Sequence, residues 1–332
     1  LASHILGGAS FGKEGVDSAE IVGVAGVEKT FDSQLQDPTY SKSPLKLTID
    51  LSIQAAVEHV LEGGMRLLNA KGAAAILMEV ETGRIISLAS LPDFDPNHRP
   101  KLPSRGSAAE SPLFNKAIQG VYELGSTFKI FTVAQALELG LVDPKTKINT
   151  KGPIRIGGHK INDYRSNGPE LPVWEVITES SNLGTARIAK MIGPEKQREF
   201  LSSLGFSKPT TIEMIEANGG KPLLPKRWNE LETMTISYGH GLSATPLHLA
   251  TGYATLANGG RLVNPTLLQE VKPVLGPRVI SKEVAENSLA MLRGVVTGGT
   301  ASLADVDGYF VGGKTGTADK PSSQGGYDKE KN

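Results

Sequence analysis

The chain has 332 residues, 35 Lys and Arg against 35 Asp and Glu, 39% hydrophobic residues and no cysteine. That length accommodates about two domains and a core without covalent staples. A net charge of zero lacks the electrostatic footprint of a phosphate-backbone binder, so nucleic acid is not an expected partner. The absence of cysteine excludes a disulfide framework, thiolate-ligated zinc and a thiol nucleophile.

Residues 1–44 are rich in Gly, Ser and Asp, with short apolar clusters such as Ile21-Val22-Gly23-Val24. They hold too little apolar surface for a core of their own and read as an arm or the tail of another domain. There is no initiator Met, no charged region leading into an apolar one, and no run of about 18 apolar residues. The sequence therefore reads as a soluble piece whose beginning is a cut. Residues 45–49 are strand-like, and Ile53, Val57, Val60 and Leu61 then follow helical spacing, predicting one buried face. Ala73 to Val80 and Ile85 to Ala89, joined by Glu81-Thr82-Gly83-Arg84, predict a β-hairpin with Gly at the turn. A long Pro-, Ser- and Asp-rich connection runs to about Asn115. Helical patterns follow over 126–139, 182–192, 195–203 and 246–257, with a strand-like Met234 to Tyr238 between them. A last helix near 283–293 precedes an expected strand at Gly308 to Val311. Strands at both ends with helices between predict an α+β fold in which N- and C-terminal strands share one antiparallel sheet flanked by helices.

Three short patterns carry chemistry. Ser126 follows Gly125 and opens a helix that is apolar nearly all round (Ile130, Phe131, Val133, Ala134, Ala136, Leu137), so Lys129 is expected to be an amine pressed into a core. Three residues apart, Ser126 and Lys129 face the same way, and desolvation lowers a buried lysine's proton affinity, which is what an activated serine requires. The plainer alternative is a Ser cap with a snorkelling lysine. Ser180-Ser181-Asn182 before a helical run reads either as a double-serine cap or as a hydroxyl that relays a proton beside an amide that holds a peptide. Gly313-Lys314-Thr315-Gly316-Thr317 closes the set, a cation and two hydroxyls with Gly316 allowing close packing.

Two formal matches are discounted. Gly308 to Thr315 satisfies the phosphate-loop pattern, but Tyr309, Phe310 and Val311 belong in a strand, and Gly316, Thr317 and Pro321 oppose a following helix. Gly239-His240-Gly241-Leu242-Ser243-Ala244 fits a dinucleotide turn, yet no acidic residue lies at the ribose-binding offset and Pro246 explains the turn as a helix start. The six histidines show no metal-ligand spacing, and no G-x-S-x-G elbow occurs. Trp174 and Trp228 read as core or groove anchors.

In that order, S-x-x-K, S-x-N and K-T-G resemble the penicillin-recognising serine enzymes, penicillin-binding proteins and serine β-lactamases. Longer strings, Tyr122-Glu123-Leu124-Gly125-Ser126-Thr127-Phe128-Lys129, Ser237-Tyr238-Gly239-His240-Gly241 with Thr245-Pro246-Leu247, and Gly313 to Ala318, resemble the class B penicillin-binding proteins, and the Ser-Tyr-Gly-His-Gly string their division-type (FtsI-like) branch. Gly26-Val27-Glu28-Lys29-Thr30-Phe31-Asp32 resembles the end of that family's pedestal. The resemblance implies a pedestal remnant over 1–44 and a transpeptidase domain over 45–332. Family members carry an upstream membrane anchor and continue past the K-T-G strand, so both ends read as trimmed. It implies a peptidoglycan D,D-transpeptidase of septal wall synthesis, acylated by β-lactams, on the periplasmic face of the inner membrane, with division-machinery membrane proteins as partners and no metal or cofactor. Carried over, Ser126 is the nucleophile, Lys129 its base, Ser180 a proton relay, Asn182 a peptide-amide contact and Lys314 the source of positive potential. Thr315 and Thr317 bind the substrate carboxylate beside Gly316. Rival readings are a D,D-carboxypeptidase or β-lactamase-type hydrolase on the same fold, or a non-catalytic β-lactam sensor or division scaffold. No Glu-x-x-Leu-Asn segment lies between Asn182 and Lys314 to activate a deacylating water.

Overall fold

A computed structural model describes residues 1–11, 21–40, 43–101, 105, 107–272, 274 and 276–319; Pro321 lies outside them. The chain begins with α1 (Ser3–Leu6), the antiparallel pair β1 (Gly8–Phe11) and β2 (Ile21–Ala25), α2 (Gly26–Thr30) and α3 (Asp32–Gln36). Too poor in apolar surface for its own core, this arm shares one: Ala2, Ile5 and Val27 pack in a cluster with Ile85, Leu88, Ile118, Leu247 and Leu267. Arg99 donates to the Gly7 carbonyl at 3.0 Å, and Glu216 accepts the Gly26 N–H at 2.7 Å. Where a strand was expected over 45–49 there is a single bridge, Leu47 to Leu268.

The carboxylate of Asp50 caps α4 (Leu51–Leu67), accepting from Ser52 and Ile53 N–H. The expected apolar stripe is only partly used: Val57 and Leu61 are half-buried, while Ile53 and Val60 stay exposed. The helix is fixed instead by Gln54, its one buried residue, whose amide bonds Ser87 and both backbone groups of Leu88. Those residues belong to the hairpin of β3 (Ala73–Met78) and β4 (Ile85–Leu91), paired from Ala73↔Leu91 to Met78↔Ile85. Gly83 takes a φ of +74° in its turn, where a Cβ would stand 2.0 Å from the Asn264 carbonyl oxygen.

The middle of the chain contributes β5 (Tyr122–Glu123), α5 (Lys129–Glu138), β6 (Lys147–Asn149), the hairpin of β7 (Ile154–Ile156) and β8 (His159–Ile161), and β9 (Glu170–Pro172), which pairs with β6. Helices α6 (Val173–Thr178), α7 (Asn182–Ile192), α8 (Pro194–Ser203) and α9 (Glu230–Ile236) follow. β10 (Ser243–Ala244) pairs with β5 and leads into α10 (Pro246–Ala257), and α11 (Lys282–Gly298) comes last. Helix α5 runs through the largest core cluster, as its all-round apolar sequence requires, and every residue from Lys129 to Ala136 is buried. Phe128, Phe131 and Phe206 stack edge to face there, with ring centroids 5.0–5.3 Å apart.

Three expectations are corrected. Met234 to Ile236 is helical, because a capping box between Asn229 and Glu232 starts α9 and Met234 and Ile236 face the core. Gly308 to Val311 forms no ladder: Tyr309 N–H closes a local turn onto the Val306 carbonyl, Phe310 is exposed, and the Val311 carbonyl accepts from Arg293 of α11. Among the described residues the shared terminal sheet is not seen, and every ladder is two-stranded. The α+β class stands, as helices around α5 beside a β-hairpin.

Candidate active site

Gly125–Phe128 forms a tight 3₁₀ turn feeding α5, which sets Ser126 at the positive end of that helix. Glycines make the turn's surroundings passable. Gly125 has φ +55° and would drive a Cβ to 2.3 Å from the Thr317 carbonyl oxygen, and its N–H donates to the Gly239 carbonyl at 3.2 Å. A Cβ on Gly316 would meet Thr127 Cγ2 at 2.7 Å. The Ser126 turn is thus clasped between the Gly239 loop and the Gly316-Thr317 segment. The buried Tyr253 hydroxyl pins it from below, donating to the Thr127 carbonyl at 2.7 Å.

Lys129 is fully buried, and its amine donates to the Ser180 carbonyl at 2.5 Å and the Ser180 hydroxyl at 3.0 Å. Burial holds its proton affinity well below that of an ordinary lysine; the charge of Lys314 lowers it further and that of Asp163 opposes the effect. Ser180 itself takes a left-handed φ of +58°, which is rare outside glycine. That conformation turns its hydroxyl toward a second amine, since Lys314 Nζ lies 2.9 Å from Ser180 Oγ and 3.1 Å from the Thr315 carbonyl. Burial pushes Lys314 down to about 8. One hydroxyl therefore bridges two amines, and charging both is disfavoured by desolvation and mutual repulsion.

Ser126, Ser180, Asn182, Thr315, Gly316 and Thr317 line one cleft of about 740 Å³, and Lys129 and Lys314 reach it through Ser180. Among the described residues Ser126 makes no side-chain hydrogen bond; such contacts are often long in a free enzyme and tighten on the substrate. Thr300 joins the group through a 2.9 Å hydroxyl contact with Thr315, and Tyr164, Arg165 and His240 complete the walls. No group of three His, Cys, Asp or Glu side chains that could hold a metal occurs among the described residues. Sequence reasoning missed Asp163, Thr300 and Tyr253, which lie far in sequence from the partners they touch and carry no spacing signal. Trp174 is half-exposed on α6, and Trp228 is partly buried with its indole N–H on Gln197.

The fold is that of the penicillin-binding proteins: the model of the penicillin binding protein transpeptidase domain matches residues 73–332, and the chain belongs to that family. Within it the chain is FtsI-like, of class B. It is 34% identical over 326 residues to a probable peptidoglycan D,D-transpeptidase FtsI of Caulobacter vibrioides, covering 96% of this chain and 52% of that protein. It is 31% identical to peptidoglycan D,D-transpeptidase FtsI of Escherichia coli K12, covering 94% and 56%. The chain thus spans about half the length of these curated relatives. Among solved structures, the transpeptidase domain of Burkholderia pseudomallei penicillin-binding protein 3 superposes with a TM-score of 0.74 at 34% identity, covering 87% of this chain and 81% of that one. Penicillin-binding protein 3 of Mycobacterium tuberculosis gives 0.85 at 27% identity, covering 99% and 77%. No described helix is long and apolar enough to cross a membrane.

Proposed function

We propose that the protein is a serine-type peptidoglycan D,D-transpeptidase that cross-links stem peptides, and that β-lactams acylate it at the same serine. The observation that carries this reading is the Lys129–Ser180–Lys314 chain, with Oγ to Nζ distances of 3.0 and 2.9 Å, set beneath a cleft that Ser126 lines. Ser126 Oγ attacks the carbonyl of the penultimate D-Ala while neutral Lys129 takes its proton. Backbone N–H groups of Ser126 and Thr317 receive the developing oxyanion. The C–N bond to the terminal D-Ala breaks, Ser180 hands the leaving amine a proton, and the lysines replenish Ser180. The amine of a second stem peptide then attacks the acyl-enzyme, gives up a proton through the same chain and releases Ser126. Asn182 holds the donor peptide's amide. Lys314, Thr315 and Thr317 hold its terminal carboxylate, or that of a β-lactam, beside Gly316. That the FtsI relatives are named D,D-transpeptidases supports transfer over hydrolysis.

The reading includes residues 45–332 as the transpeptidase domain and 1–44 as the end of a pedestal. It extends to a septal setting on the periplasmic face of the inner membrane, with division-machinery partners. The test is intact mass spectrometry after penicillin treatment. The protein gains one penicillin mass that persists for hours, and Ser126→Ala gains none; a labelled, folded Ser126→Ala variant or a rapidly lost adduct overturns the proposal.

A further inference from the structure

The Ser180-Ser181-Asn182 turn holds Ser180 in a left-handed conformation that a serine does not favour. Lys129 grips one side of it; the other side rests on a residue outside the three motifs. Asp163 Oδ2 accepts the Ser181 hydroxyl at 2.7 Å, and its Oδ1 accepts the Leu183 N–H at 2.9 Å. With its proton committed to Asp163, Ser181 Oγ offers a lone pair to the Gly184 N–H at 2.9 Å and so caps α7. Two of the unpaired first-turn donors of α7 are met by this pair of side chains. The neighbouring Asn162 carbonyl accepts from Asn182 Nδ2 at 3.0 Å, so two consecutive residues brace the Ser181-Asn182 half of the S-S-N turn, next to Ser180. They are delivered by β8, whose Ile161 is buried against Leu183, Ala186 and Met234.

We propose that Asp163 is a positioning residue for acyl transfer, holding the Ser180 turn in the conformation where one hydroxyl meets both lysine amines. This rests on the reading of Ser180 as the proton relay. A carboxylate here also acts electrostatically: its charge favours the protonated forms of Lys129 and Arg187, and among the described residues it opposes the like charge of Lys314 on Lys129. Asparagine at 163 keeps the shape and an acceptor for Leu183 but removes the charge and the strong acceptor for Ser181.

The test measures acylation by a fluorescent penicillin in stopped flow across pH, for the wild type, Asp163→Asn, Asp163→Glu and Ser181→Ala. Asp163→Asn is expected to acylate about 10- to 100-fold more slowly, the scale of a lost charge-assisted hydrogen bond. Its acid limb should move to lower pH, because the charge that favours protonated Lys129 is gone. Asp163→Glu restores the limb to its wild-type position. Wild-type acylation by Asp163→Asn, or slowing with the limb unmoved, overturns the proposal. If Asp163→Asn melts before assay, Ser181→Ala, which severs the link yet keeps the carboxylate, is expected to slow acylation with the limb in place; wild-type acylation by that variant overturns it. A wild-type protein that takes no penicillin overturns the proposed function, and this inference with it.

Discussion

Lys314 supplies the sharpest test of the site's electrostatics. Burial lowers its pKa from 10.5 to about 8, a desolvation cost of about 3 kcal/mol to hold the charge. In the free protein the amine is then about 90% protonated at pH 7 and about 10% at pH 9, following from a pKa of about 8. A substrate carboxylate is drawn by the charged form, so the second-order rate constant for acylation should fall roughly tenfold between those pH values. Lys314→Arg keeps its charge throughout, and its alkaline limb should disappear from this range even if its absolute rate is lower. Stability moves the other way. Because the folded pKa lies below the unfolded one, the unfolded chain binds more protons between about pH 8 and 10.5, and this group's penalty on folding is relieved as pH rises through that window. Loss of acylation at pH 9 without a fall in melting temperature therefore identifies a binding effect. A wild-type profile that is flat from pH 7 to 9, or an Arg variant with the same limb, refutes the reasoning.

Lys129→Ala should slow acylation by about 10²–10⁴-fold, the contribution of a general base, as read by gel labelling over time; a loss below tenfold removes Lys129 from that role. Gly239→Ala places a Cβ 2.1 Å from the Gly125 carbonyl oxygen at a φ of +82°, so it should displace the Ser126 turn and abolish labelling. Normal labelling of that variant would show that the turn is not clasped there. Phe206→Ala empties the contact with Phe128 and Phe131 and should cost about 3–5 kcal/mol in urea unfolding, with a cost below 1 kcal/mol counting against the aromatic cluster as the anchor of α5.

Local signals carried far into the tertiary structure where they agreed with burial. The apolar circumference of 130–137 announced a buried helix and hence a buried Lys129, and the predicted helices 182–192 and 246–257 match α7 and α10 to the residue. Gly83 marked the hairpin turn because no side chain fits against Asn264 there. The signals failed where a neighbour supplied the answer. Val60 has the right spacing for a buried face yet lies open, since Gln54 rather than the apolar stripe fastens α4 to the hairpin. Tyr309 to Val311 look like strand residues, but Tyr309 and Phe310 stay exposed and the Val311 carbonyl is met by Arg293 of α11 rather than by a strand.

By itself the sequence determined which side chains are candidates for the chemistry and in what order, because a serine, two lysines and an S-x-N turn are chemical identities that folding does not alter. Only the tertiary structure decided how they meet. Ser126 and Lys314 lie 188 positions apart in the numbering, and Ser180 meets the amines of Lys129 and Lys314 in a left-handed backbone conformation next to residues that Asp163 and Asn162, which follow β8, hold in place. Hydrogen bonds and desolvation act through distance in space, and no spacing along the chain encodes the 2.9 and 3.0 Å contacts that bridge the two amines.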